Sequence, residues 1–147
     1  MKQQGLRIFA MLAFYAMLAA APANAQSQAD IPFDFQISNE KIPAGQYTVT
    51  RSNQNSGTTV LLLRNADGRG IEMFVPMSVQ ARESQDQGKL VFHKYGDQYF
   101  LYQVWEAGTN AGHELRKSRR ERAVERELAK AHRTAQRETV ALILHRR

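Results

Sequence analysis

The sequence predicts a mainly β protein, a small antiparallel β-barrel or sandwich of six to seven strands with one basic amphipathic C-terminal helix. Three observations carry this. From Ile31 to Glu106 apolar residues alternate with polar ones or fall in short runs broken by turn residues. Gly96-Asp97 splits two apolar stretches as a two-residue hairpin turn does. Beyond residue 110 the composition shifts to Arg, Glu, Ala, Leu and Lys, the straight-chain helix formers.

The chain opens with Lys2 and Arg7, an apolar run from Ile8 to Ala21, Pro22 and then Ala23-Asn24-Ala25. A basic start, a short apolar stretch and a small-x-small site form a secretory signal, with cleavage expected after Ala25. The run falls short of the ~20 apolar residues of a membrane span. The expected location is therefore periplasmic or secreted, with no transmembrane helix in the mature form. Removing residues 1–25 from the 147 leaves 122, enough for one core without covalent staples. There is no cysteine, so disulfides, thiolate metal sites and cysteine nucleophiles are all excluded.

Ile31, Phe33, Phe35 and Ile37 share one parity and predict a half-buried first strand. Pro43-Ala44-Gly45 is a turn, and Gln46 to Arg51 reads as a second strand with Tyr47 and Val49 on one face. Thr58 to Arg64 contains Val60-Leu61-Leu62-Leu63, apolar on both faces as in a central strand. After the turn Asn65-Ala66-Asp67-Gly68, the residues Ile71, Met73, Val75, Met77 and Val79 keep period two. Pro76 lacks an N–H, which places that strand at an edge or a bulge. Lys89 to Tyr95 and Gln98 to Glu106 flank Gly96-Asp97, a register that sets Tyr95 opposite Gln98, His93 opposite Phe100 and Val91 opposite Tyr102. Sequential pairing of these strands makes an antiparallel meander over residues 26–110.

Ala107 to Gly112 reads as a flexible link at the start of a distinct region, 111–147. Ser118-Arg119-Arg120-Glu121 has the spacing of a capping box, with the serine accepting from the third helical N–H and Glu121 reaching back. The helix is expected over about 118–137. At ~100° per residue, Arg119, Arg122, Arg126, Lys130, Arg133 and Arg137 form one basic stripe opposite Val124 and Leu128. Continuing the helix would bring Val140 and Leu144 onto that stripe, so a break near Glu138 and a last strand over 139–144 are expected.

The net charge of +6 is unevenly placed. Residues 26–110 carry seven basic and nine acidic side chains, whereas residues 111–147 carry eleven and five. The stripe has three readings: a solvated helix face, a contact for an anionic envelope lipid or polysaccharide, or a nucleic-acid contact. The signal sequence exports the chain away from nucleic acid, so none is expected as a partner.

Catalytic spacing is absent. His93, His113, His132 and His145 form no His-Glu-x-x-His or His-x-His arrangement, so neither a metal nor another cofactor is expected. No Gly-x-Ser-x-Gly elbow is present. Asp67-Gly68-Arg69-Gly70 lacks the remaining ligands of a calcium loop. His93, on a strand, is the one candidate general base, which would need a carboxyl brought to it by the fold and a concave setting. Tyr95, Tyr99, Tyr102 and Trp105 crowd one hairpin and are candidates for a sugar- or lipid-binding face, against the alternative that they pack the core.

Three stretches carry a resemblance: Ile31-Pro32-Phe33-Asp34-Phe35 with Ile42-Pro43-Ala44-Gly45-Gln46-Tyr47-Thr48-Val49; Leu90-Val91-Phe92-His93-Lys94-Tyr95-Gly96-Asp97-Gln98-Tyr99-Phe100-Leu101; and Gly112-His113-Glu114-Leu115 with Ser118-Arg119-Arg120-Glu121-Arg122. Together they resemble a group of small secreted bacterial β-proteins of unknown function with a charged C-terminal segment. Members often have proline where this chain has Arg116. The resemblance implies a β-domain plus a charged tail and brings no catalytic residue. The expected function is a non-enzymatic, envelope-associated binding or structural module; the alternative is a small periplasmic hydrolase or isomerase with a cavity near His93. The oligomeric state is left open.

Overall fold

The computed structural model of the protein describes residues 27–53, 57–131 and 137–146. The expected signal, residues 1–25, lies outside them. The first expected strand is broken by Pro32 into β1 (Ser27–Ile31) and β2 (Phe35–Ile37), and β3 (Glu40–Ile42) folds back on β2. Then follow β4 (Gly45–Asn53), β5 (Thr59–Asn65), β6 (Gly70–Phe74) and β7 (Met77–Gln80). Next come β8 (Lys89–Tyr95), β9 (Gln98–Trp105) and β10 (Ala111–Glu114). Helix α1 (Arg119–Lys130), β11 (Glu138–Ile143) and β12 (His145–Arg146) complete the order.

The strands form two sheets that pack as a sandwich and do not close into a barrel. The first sheet has the order β12-β1-β4-β5-β6. The second runs β11-β8-β9-β10-β7, with β2 added in parallel to β9 and β3 beside β2. The expected uninterrupted meander is therefore broken: the chain changes sheets between β1 and β2, between β3 and β4, at Val75-Pro76 and at Leu144. Both β6 and β7 are edge strands, where a missing proline N–H breaks no ladder.

Alternate residues of the facing sheets meet in one core. Ile31, Tyr47, Val49, Leu61 and Leu63 come from the first sheet, and Phe35, Ile37, Leu90, Phe92, Leu101 and Val104 from the second. Phe92 lies at the centre, with Phe33 and Phe35 edge-on to its ring at 5.3 and 5.5 Å. The Pro-Ala-Gly turn is tied to this core. Asp34 Oδ1 accepts from the Ala44 N–H at 3.0 Å, Lys41 pairs with Asp34, and the Tyr47 hydroxyl donates to the Pro43 carbonyl at 2.6 Å. The hydrogen bond from Lys41 chiefly, and that from Ala44 next, hold the Asp34 carboxyl below its ordinary range. The first pair of resembling stretches is thus one spatial unit. Asp67-Gly68 is a hairpin turn: the Gly68 N–H donates to the Asn65 carbonyl and Gly68 has φ +76°.

Three expectations require correction. The period-two set Ile71, Met73, Val75, Met77 does not face the core: Phe74, of the other parity, is buried, while Met73 and Val75 are 60% and 66% exposed. Register decides this, because Phe74 pairs with Leu61 and both turn inward. Val91 pairs with Gln103, not Tyr102, because a bulge between Val91 and Phe92 gives β9 an extra residue. The expected link is also shorter, since Ala111–Glu114 is a strand between β9 and β7. Gly112 is required there: a Cβ would stand 2.5 Å from the Trp105 ring.

Candidate functional site

Helix α1 docks on the outer face of the second sheet. Ser118 caps it, its Oγ accepting from the Glu121 N–H at 3.0 Å, which satisfies one of the helix's orphan donors. Glu121 does not reach back to the cap as a capping box would. Its side chain turns to the β8–β9 hairpin, where Glu121 Oε1 accepts from His93 Nδ1–H at 2.7 Å and from the Tyr95 hydroxyl at 3.1 Å. His93 and Glu121 are 3% and 4% exposed. One turn further along, Val124 packs with Tyr95 and Phe100, and Leu128 flanks them. An apolar patch and a buried polar triad together hold a 12-residue helix that would be marginal alone.

The bulge shapes this site. It lets Tyr102 and Gln103 both point to the helix side while Leu101 and Val104 turn to the core. Tyr102 stacks on the His93 ring at 3.9 Å between centroids. Beside it, Trp105 Nε1 donates to Gln103, and Gln103 Nε2 donates to Glu114. Burial foremost, and the hydrogen bond to Glu114 next, raise the Tyr102 phenol. Tyr95 is raised much further, by burial first and then by the charges of Glu121 and Glu125.

A raised phenol makes stability depend on alkaline pH. Below the ordinary tyrosine value of about 10, both folded and unfolded chains keep the Tyr95 proton and the stabilisation is complete. Above it the unfolded chain loses the proton first, so stability falls as pH rises toward the folded value. Urea midpoints from pH 9 upward (roughly to pH 12) should therefore decline, and Tyr95→Phe should flatten the decline. An unchanged slope in Tyr95→Phe would show that Tyr95 is not the linked group.

His93 has the neighbouring carboxyl that a general base needs. Yet it is buried under α1 and covered by the Tyr102 ring, a packed setting and not the concave one expected for a base. The pair holds the helix to the sheet. Nor do the four candidate aromatics form one ligand face. Tyr95 is buried beneath α1, Tyr102 and Trp105 lie on the helix side, and Tyr99 stacks on Phe33 at 3.8 Å against the inter-sheet core. His113 points inward from β10, with Nε2 donating to Glu106 at 3.3 Å and Glu106 also accepting from Arg51. Among the described residues no three His, Asp or Glu side chains group as metal ligands.

Arg119, Arg122, Arg126 and Lys130 are all exposed on α1 and, among the described residues, enter no ion pair. Two helical acids are engaged elsewhere: Glu121 turns inward to His93, and Glu125 pairs with Lys117 at 2.7 Å. Glu127 stays exposed and, among the described residues, enters no ion pair either. The helix ends at Lys130, earlier than expected, and Arg133 lies outside the described residues. Arg137 is exposed just ahead of β11, close enough for its charge to lower the Tyr95 and Tyr102 phenols in part, rather than on the helix. Sequence reasoning found the basic positions but assigned Glu121 to the helix cap and not to His93. The signal was a carboxyl at the third helical position, which has two possible uses. No helix among the described residues is long and apolar enough to cross a membrane.

No family model, curated protein or solved structure matches the chain.

Proposed function

We propose that this chain is a non-catalytic exported module, of the kind its three stretches resemble, that binds an anionic surface of the bacterial envelope through α1. The observation that carries the proposal is the row of exposed basic residues on a docked helix, two of whose three acids are engaged elsewhere. Arg119 and Arg120 strengthen it. They stand at the N-terminal end of α1, where the helix dipole disfavours positive charge. A face serving helix stability alone would carry acids there.

Each Lys or Arg held near an anionic membrane contributes about 1 kcal/mol, so four give useful but reversible attachment. The apolar side of α1 is occupied by the sheet, which leaves electrostatics rather than insertion as the driving force. Such binding weakens as salt shortens the screening length from ~10 Å at 0.1 M to ~3 Å at 1 M.

The test is retention of the purified, processed protein by envelope fractions at low and high salt. Retention at low salt that is released at high salt supports the reading, and a protein retained by no fraction at low salt refutes it. Vesicles with phosphorylated headgroups and acidic polysaccharide beads, run in parallel, distinguish the two sources of negative charge.

A further inference from the structure

Four of the five large exposed hydrophobic residues among the described residues fall between Ile71 and Met77. Met77 is met by the chain itself, since Arg116 Nε lies 3.5 Å from its sulfur. Ile71 and Met73 project from β6, one of the two edge strands of the first sheet among the described residues, and Val75 follows directly after it. An edge strand leaves a row of backbone donors and acceptors open to another strand.

We infer that β6 is the dimerisation strand of this protein, pairing antiparallel with β6 of a second copy about a two-fold axis at Met73. The pattern is self-complementary: about Met73, Ile71 stands opposite the second copy's Val75, and Met73 opposite its own equivalent. A two-fold interface requires this kind of match, in which one patch fits itself. Charge selects the same register. Glu72, the only charged residue from Gly70 to Met77, then lies opposite the second copy's Phe74. A register centred on Glu72 would set carboxyl against carboxyl, which is destabilising. A register centred on Phe74 runs into Pro76 and Met77, which have already left the first sheet. Glu72 does not guard the edge either. Its side chain shares the inward parity of Phe74, and burial foremost, with the Glu40 charge second, raises its carboxyl.

A ladder over 71–75 with three apolar pairs buries less than the about 800 Å² per partner of a standard interface. The association is accordingly weak and concentration-dependent. Pairing at β6 leaves α1 free, because the helix sits on β8 and β9 of the other sheet. A dimer would thus present two basic helices, and simultaneous contact would raise avidity without new contacts.

The absence of cysteine allows a register-specific test by disulfide trapping of single variants under mild oxidation. In the proposed dimer the two thiols introduced by Met73→Cys face one another within the reach of a disulfide, whereas the thiol of Ile71→Cys faces Val75. Met73→Cys should form covalent dimer about tenfold faster than Ile71→Cys. Adding Val75→Lys to Met73→Cys should slow the trapping. All three positions are exposed, so the fold is not at stake. Equal rates for Met73→Cys and Ile71→Cys, no covalent dimer from Met73→Cys, or indifference to Val75→Lys would each overturn the register.

Discussion

Replacing Glu121 by alanine is expected to destabilise the protein by about 3 kcal/mol, as breaking a buried pair by removing one partner does. Two groups lose their acceptor at once, His93 Nδ1 and the Tyr95 hydroxyl, and both residues are buried. Glu121→Gln keeps an acceptor oxygen and the side-chain shape, so it should lose about half as much. Replacing all three groups together, as His93→Phe, Tyr95→Phe and Glu121→Leu, should recover most of the loss, because no polar group is then left unsatisfied. Urea unfolding measures the totals. Hydrogen exchange locates them: Glu121→Ala should accelerate exchange across α1 before it affects β4 and β5, because a helix this short depends on its docking. Uniform acceleration, or none in α1, would show that the triad does not hold the helix.

Phe92→Ala is expected to be at least as damaging, by about 4 kcal/mol. The ring is fully buried between the sheets and is met edge-on by Phe33 and Phe35, so its removal leaves a cavity and also ends two aromatic contacts. Phe35 belongs to a short strand fixed by its pairings with β3 and β9, and Phe33 to the short link just before it, which limits collapse into the void. The loss should appear as a lower urea midpoint with an unchanged slope. Exchange should accelerate in both sheets, in contrast to Glu121→Ala. A loss below about 2 kcal/mol would mean that the core closes around the missing ring.

The mainly β class was legible because Ile31, Phe35 and Ile37, or Tyr47 and Val49, alternate in a way only strands use to bury one side. The β8–β9 turn was legible because Gly96 supplies the positive φ of a two-residue hairpin, here +59°. The face of β6 was not legible. Its neighbour β5 is apolar on both sides, so only the pairing of Leu61 with Phe74 tells which side is inward. The bulge at Tyr102 was hidden for a related reason, since an inserted residue changes no local composition. Strand β10, with Gly112 and His113 at its middle, has no alternation to read. The partnership of Glu121 with His93 spans 28 residues and exists only once the helix docks. The basic stripe was readable from its spacing up to Lys130, and the cap from Ser118. That Glu121 and Glu125 turn away from the exposed basic face follows only from the fold.

The central claim is that α1, pinned by Glu121 and Val124, offers a basic face to an anionic envelope surface. The most direct test reverses that face, with Arg122→Glu, Arg126→Glu and Lys130→Glu in one protein, and measures retention by envelope fractions at low salt beside the unaltered chain. All three residues are exposed and outside the helix–sheet contact, so the fold should be unaffected. At about 1 kcal/mol per lost positive charge, affinity should fall by roughly 100-fold or more. Retention of the charge-reversed protein equal to that of the unaltered chain would contradict the claim.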